Sequence, residues 1–178
     1  MSTVNVKDAL ELIREVPDFP KPGILFQDIT PLLSHPEAFS LVIQNMFSEK
    51  SVFDYVAGME ARGFIFASAI ANYSSKGFIP IRKSGRLPYD TYSENYGLEY
   101  GTDTLEIHKD ACASGNNVLV VDDVLATGGT ACAAIRLIEK TGASVTSIAF
   151  VIEISALNGR AKIQEHFPSM QITSLKII

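Results

Sequence analysis

The sequence predicts an α/β domain with a mostly parallel central sheet flanked by helices. From Val52 onward, short apolar runs alternate with stretches of helical periodicity, the order that lays helices over a parallel sheet. One of these runs, Asn117 to Val121, is valine-rich and unbroken, as expected of a strand covered on both faces. The length of 178 residues and the apolar fraction of 47% suit one domain spanning 1–178, whose core needs no disulfide or structural metal.

Each element has its own signal. Val6, Ala9, Leu10, Ile13 and Val16 recur at helical spacing and predict an amphipathic helix that stops before Pro17. Phe19 to Phe26 holds two prolines and a glycine and cannot be regular helix. Leu32 to Phe47 reads as helix, restarting after Ser34 and Pro36. Val52 to Met59 is a short apolar strand, Phe64 to Tyr73 a helix, and Phe78 to Ile81 a strand. After Asn117 to Val121 come a helix from Thr130 to Lys140, stopped at Gly142, and a strand from Ser144 to Ile152. A helix from Ala156 to His166 and a closing strand from Ile172 to Ile178 complete the chain. Lys83 to Thr104 breaks the alternation, with three glycines, four tyrosines and hardly any aliphatic side chain. A connection of that length is expected to be a functional lid loop; two short strands flanking a tip also fit it.

Composition narrows the partners. Lysine plus arginine is 15 and aspartate plus glutamate 20, a net charge of −5, which disfavours non-specific nucleic-acid binding. The longest apolar run, near Ser147 to Ile154, is interrupted by Glu153 and is too short to cross a bilayer. Met1 to Val16 carries charges throughout and has no apolar signal core, so a cytoplasmic location is expected. Cys112 and Cys132 match no zinc or redox spacing. His35, His108 and His166 are isolated and read as structural or surface residues.

The chemistry lies in Val118-Leu-Val-Val-Asp-Asp-Val-Leu-Ala-Thr-Gly-Gly-Thr130. A buried strand ends at two adjacent carboxylates, and a Thr-Gly-Gly-Thr turn opens a helix. Ligands gather at the carboxyl ends of strands in such sheets, and amides at a helix N-terminus attract anions. Gly128 and Gly129 allow close backbone approach, and Thr127 and Thr130 add hydroxyl donors, so the turn is a phosphate cradle. It is neither a Walker loop nor a dinucleotide fingerprint. Asp122 and Asp123 need something to share their charge, which sugar hydroxyls or a magnesium ion would do. A helix cap beside a solvated acid accounts for one aspartate and two glycines but not for the whole run.

This segment resembles the phosphoribosyl pyrophosphate (PRPP) motif of the type I phosphoribosyltransferase family. Four further segments carry the resemblance in order: Phe19-Pro-Lys-Pro-Gly-Ile-Leu-Phe-Gln-Asp-Ile-Thr-Pro31, Gly58-Met-Glu-Ala-Arg-Gly-Phe64, Ile81-Arg-Lys-Ser-Gly-Arg-Leu-Pro88 and Tyr96-Gly-Leu-Glu-Tyr-Gly-Thr-Asp-Thr-Leu-Glu-Ile107. The resemblance covers nearly the whole chain and is close to the adenine-using members. It implies that family's fold, with an N-terminal hood (about 1–35) and a flexible lid loop (about 83–104). It also implies transfer of the phosphoribosyl group from PRPP to adenine, giving AMP and pyrophosphate, with magnesium required and a homodimer as the assembly.

Carried over residue by residue, the resemblance implies that Ala126, Thr127, Gly128, Gly129 and Thr130 hold the 5-phosphate. Asp122 and Asp123 then face the ribose hydroxyls, with magnesium held mainly by PRPP near them and no direct protein ligand assigned. Glu60, Ala61 and Arg62 form the pyrophosphate loop, with the Glu60–Ala61 peptide expected to be cis. Lys83 and Arg86 add charge there, and Arg82 is expected to reach a neighbouring subunit. Tyr100 packs over the sugar, and Arg62 and Lys83 stabilise the departing pyrophosphate. Glu99 manages the ring proton of adenine. Oxopurine enzymes usually place an aspartate where this chain has Ala126, and its absence calls for an acid elsewhere, which Glu99 fits. Ile24 and Gln27 read the base through main-chain groups, Phe26 and Val124 sandwich it, and Leu157 closes its pocket. This chain carries Gln27 where the family often has arginine and Arg86 where lysine is common. The alternatives are another purine enzyme, such as one for xanthine, and a non-catalytic PRPP-sensing regulator.

Overall fold

Residues 5–98 and 101–178 are described by the computed structural model. The chain divides into two units, one ending at Met46 and the other running from Phe47 to Ile178.

In the first unit, α1 (Val6–Leu10) is capped by the Asn5 side chain, which accepts from the Asp8 amide at 3.0 Å. The helix expected to reach Val16 ends here. Ile13 and Val16 keep helical spacing by coincidence. Val16 belongs to β1 (Arg14–Pro17), antiparallel to β2 (Leu25–Asp28), with Val16 opposite Phe26. An Arg14–Asp28 ion pair at 2.6 Å ties the strands. Hydrogen bonds from Thr30, then Arg14, hold the Asp28 carboxyl down to about 2. The strands are joined through a cis Phe19–Pro20 peptide. The helix expected from Leu32 is split into α2 (Thr30–Leu33) and α3 (Pro36–Asn45). His35 sits at the break, and its Nδ1 accepts from the Ala38 amide at 3.3 Å, so this histidine is a helix cap.

The second unit is a seven-stranded sheet. Its strands are β3 (Tyr55–Met59), β4 (Gly77–Lys83), β5 (Thr91–Leu98), β6 (Gly101–His108), β7 (Asn117–Leu125), β8 (Ser144–Glu153) and β9 (Gln171–Ile177). Their order is β5-β6-β4-β3-β7-β8-β9. The run from β4 to β9 is parallel, and β6 pairs antiparallel with both β4 and β5. The helices are α4 (Gly63–Ser74), α5 (Gly129–Lys140) and α6 (Gly159–His166), the last preceded by a 3₁₀ turn at Ser155–Leu157. Val118 and Val120 of β7, Ile148 and Phe150 of β8, and Ile135, Leu137 and Ile138 of α5 share one apolar core. Each such side chain contributes about 2 kcal/mol on burial. Among the described residues, no helix is long and apolar enough to cross a membrane.

The expected lid loop is largely a hairpin. β5 and β6 pair continuously from Thr91–His108 to Leu98–Gly101. Tyr92 and Tyr96 pack against the core beside buried Leu105 and Ile107. Glu94 pairs with Lys140 of α5 at 2.9 Å, and the same lysine donates to the Ser93 carbonyl at 2.7 Å. The inward face of β5 is therefore aromatic and charged, with no aliphatic alternation to mark it as a strand.

An ion pair between half-buried Arg160 and buried Glu153 fixes α6. Arg160 Nε donates to Glu153 Oε1 at 2.9 Å, while its other nitrogens reach the Ile172 carbonyl at 3.1 Å and Ser174 Oγ at 3.2 Å. The Arg160 hydrogen bonds outweigh the cost of burial and hold the Glu153 carboxyl below its usual range. Its stabilising contribution is complete above the ordinary glutamate value and is lost as pH falls through the folded value. Arg160→Leu is expected to cost about 3 kcal/mol in denaturant unfolding at neutral pH, because Glu153 is left buried and unpaired. The cost should shrink below about pH 4, as the carboxyl protonates. A small, pH-independent cost would contradict this.

Candidate active site

The first strand pair of the parallel run delivers the basic part of the site. β3 ends at Met59, and the next peptide, Glu60–Ala61, is cis as expected. Arg62 follows and precedes α4. The Glu60 side chain is largely covered, and its carboxylate is engaged within the protein. Its carboxylate accepts from Arg82 Nε at 3.2 Å and from the Lys83 amide at 3.1 Å, and it pairs with Arg86. Arg82 also donates to the Arg86 carbonyl at 3.0 Å. Burial alone would raise the Glu60 carboxyl. The hydrogen bonds from Arg82 and Lys83, with the charges of Arg82 and Arg86, hold it below the usual range. Glu60 therefore clamps the 82–86 turn, setting where its cations stand. Glu106, also buried, holds the same turn by accepting from the Ser84 hydroxyl at 2.6 Å and the Gly85 amide at 3.0 Å. Lys83 lies 3.6 Å from Asp103, which also accepts from the Tyr96 hydroxyl at 3.3 Å.

β7 brings the acids. The strand continues past Val121 to Leu125, so Asp122 and Asp123 lie within it and not beyond its end. Gly63, at the start of α4, is forced by this neighbour: a Cβ there would stand 2.8 Å from Asp122 Oδ1 and 2.9 Å from the Val121 carbonyl. That close approach puts Arg62 Nε 2.9 Å from Asp123 Oδ2. The contact is a charge pair, not an aligned hydrogen bond. Asp123 is buried, whereas Arg62 is half-buried. Burial, then the charge of Asp123, raises the Asp122 carboxyl well above its ordinary range. Burial also raises Asp123, with Arg62 pulling against it. Raised carboxyls favour folding below their ordinary value, and that benefit is lost as pH rises through the folded value. At neutral pH the pair therefore costs stability in the free protein.

The cradle closes the site. Gly128 caps α5 in a left-handed conformation, φ 78°, which glycine adopts without strain. Arg62, Ala61, Asp122, Asp123, Val124, Ala126 and Thr130 line one cavity of about 390 Å³, together with Glu60 and Tyr96. A smaller hollow of about 60 Å³ is lined by Ala126, Thr127, Gly128 and Thr130. Members of the expected pyrophosphate, ribose and phosphate sets thus line one cavity, while Arg82, Lys83 and Arg86 belong to the turn that Glu60 holds. Leu157 is placed elsewhere, beside Thr127 and Lys162 in a third cavity of about 450 Å³. Ile24, Phe26 and Gln27 belong to the first unit, where Phe26 packs edge-on against Phe19 at 5.1 Å. Glu99 and Tyr100 lie outside the described residues. The sequence reading missed Tyr96 and the clamps of Glu60 and Glu106. The only signal for these was their position inside the motif segments.

Residues 32–176 match the family described as the phosphoribosyl transferase domain. The adenine phosphoribosyltransferase of Parvibaculum lavamentivorans is 51% identical over 88% of this chain and 91% of its own length. That of Francisella philomiragia is 52% identical over 92% and 95%. Among solved structures, the adenine phosphoribosyltransferase of Thermoanaerobacter pseudethanolicus superposes with a TM-score of 0.90 at 46% identity, covering 98% of this chain and 100% of that one. The Saccharomyces cerevisiae enzyme, complexed with an iminoaltritol bisphosphate and adenine, gives 0.87 at 35% identity, covering 96% and 97%. Matched along nearly its whole length, the chain belongs to the phosphoribosyltransferase family, among the adenine phosphoribosyltransferases.

Proposed function

We propose that this chain transfers the 5-phosphoribosyl group of PRPP to adenine, forming AMP and releasing pyrophosphate. The observation that carries this reading is one cavity shared by Arg62, the Asp122–Asp123 pair and the start of the phosphate cradle. A sugar with phosphate at one end and pyrophosphate at the other matches that sequence of charges.

In the reaction the bond from the anomeric carbon to pyrophosphate breaks, and a bond to a ring nitrogen of adenine forms. The backbone amides and hydroxyls from Ala126 to Thr130 bind the 5-phosphate at the positive end of α5. Asp122 and Asp123 accept hydrogen bonds from the ribose hydroxyls, which solvates two carboxylates that otherwise repel. Arg62, Lys83 and Arg86 hold the leaving pyrophosphate and stabilise its growing charge. Glu99 takes the ring proton from adenine, and Tyr100 covers the sugar against water. Within the second unit's cavity, Val124 stands beside the acid pair and is the residue available to contact the base.

Among the described residues, no three His, Cys, Asp or Glu side chains gather into a metal cage. Two carboxylates with an arginine against one of them fit a hard cation held mainly by its ligand's own oxygens. Magnesium, when bound, supplies further neutralisation of the departing pyrophosphate. A homodimer in the cytoplasm completes the proposal. Exposed Ile65 of α4 and Phe78 of β4 supply apolar surface of the kind a subunit interface uses.

The test is product formation from PRPP and magnesium with adenine, hypoxanthine, guanine and xanthine in parallel. AMP from adenine alone is the expected result, and turnover of an oxopurine would overturn the base assignment. Bound PRPP without turnover of any base would favour a sensor. Glu99→Gln should lower kcat by about a hundredfold while leaving PRPP affinity near that of the unaltered chain. A normal kcat would remove Glu99 from the proton transfer.

A further inference from the structure

We propose that Lys162 of α6 is part of the 5-phosphate site, supplying a full positive charge that the cradle's amides and hydroxyls lack. The inference rests on the reading of residues 126–130 as that site.

The start of α6 is packed against the cradle with no space between them. A Cβ on Gly128 would stand 2.6 Å from the Gly159 carbonyl oxygen. A Cβ on Gly159 would collide with the Ala126 carbonyl and come 3.0 Å from the Gly128 amide nitrogen. Glycine at 159 therefore sets α6 directly on the turn that opens α5. The Lys162 amide donates to the Asn158 carbonyl at 3.1 Å, so Lys162 stands in the first turn of α6 and on the same face as Gly159.

The Lys162 ammonium points toward that turn. Its Nζ lies 3.9 Å from the position a Cβ on Gly129 would occupy, the same distance as Thr127 Oγ1. Lys162, Thr127 and Asn158 line one cavity. Two cations in α6 are thus put to different use. Arg160 is consumed by Glu153 and the β9 backbone. Lys162 has no salt bridge among the described residues, although Glu165 lines the same cavity, whereas Lys83 and Lys140 are each paired. An unpaired lysine beside glycine amides and a threonine hydroxyl suits a phosphate monoester, which carries close to two negative charges at neutral pH.

The experiment is calorimetric binding of AMP and of pyrophosphate to the unaltered chain, Lys162→Met and Lys162→Arg, with steady-state kinetics on each. Position 162 is exposed and helical, so methionine should be tolerated. Lys162→Met is expected to weaken AMP about tenfold, the loss of one charge-assisted hydrogen bond, with pyrophosphate affinity unchanged. Its KM for PRPP should rise with kcat nearly constant, the pattern of a lost uniform binding contact. Lys162→Arg should restore most of the AMP affinity. AMP binding by Lys162→Met within about twofold of the unaltered chain would overturn the inference alone. Failure of the unaltered chain to bind AMP would overturn the reading of the cradle, and the inference with it.

Discussion

Arg62 and Asp123 meet at 2.9 Å because Gly63 lets the start of α4 rest on the end of β7. Asp122 stands beside the same contact, accepting from the Asp123 amide at 2.9 Å and feeling the charge of both Asp123 and Arg62. The turn to either side inherits that arrangement. Ahead of Arg62 is the cis peptide that carries Glu60, and beyond Asp123 the strand runs two further positions before the cradle. A larger residue at 63 would separate the elements and take the arginine away from the acids.

Charge is distributed unevenly around this contact. Glu60 is surrounded by Arg82, Arg86 and the Lys83 amide, and its carboxyl is held below the usual range. Asp122 and Asp123 share Arg62, and both carboxyls are raised. One acid is thus structural and satisfied, while the pair is short of positive charge and donors. A ligand with hydroxyl groups and a cation supplies what the pair lacks. Binding energy and stability are linked through the same carboxylates.

The cradle and its flanking acids were legible because the chemistry is contiguous, one strand running into one helix. The parallel order of the later strands followed from their apolar runs. The hairpin was legible only as the second reading of residues 83–104, two short strands flanking a tip, because Tyr92, Glu94 and Tyr96 face inward where a strand usually shows aliphatic residues. The first helix was read too long because Val16 keeps helical spacing while pairing as a strand with Phe26. Pairings between distant segments, such as Arg62 with Asp123 or Glu60 with Arg86, leave no periodic trace. The family motifs brought those residues to notice, but only the fold assigns Glu60 to a clamp. Lys162 and Gly159 lay in no motif quoted, and their signal exists only where α6 touches the cradle.

The claim on which this account turns is that the acid pair is held raised in the free protein and that Arg62 is what restrains it. The most direct measurement is a carbon-13 NMR titration of the aspartate carboxyls in the ligand-free chain and in Arg62→Gln. The account predicts that the Asp122–Asp123 pair titrates with an apparent value well above the ordinary aspartate range, moving further up when the arginine charge is removed. Both carboxyls titrating in the ordinary range, unmoved by Arg62→Gln, would contradict it.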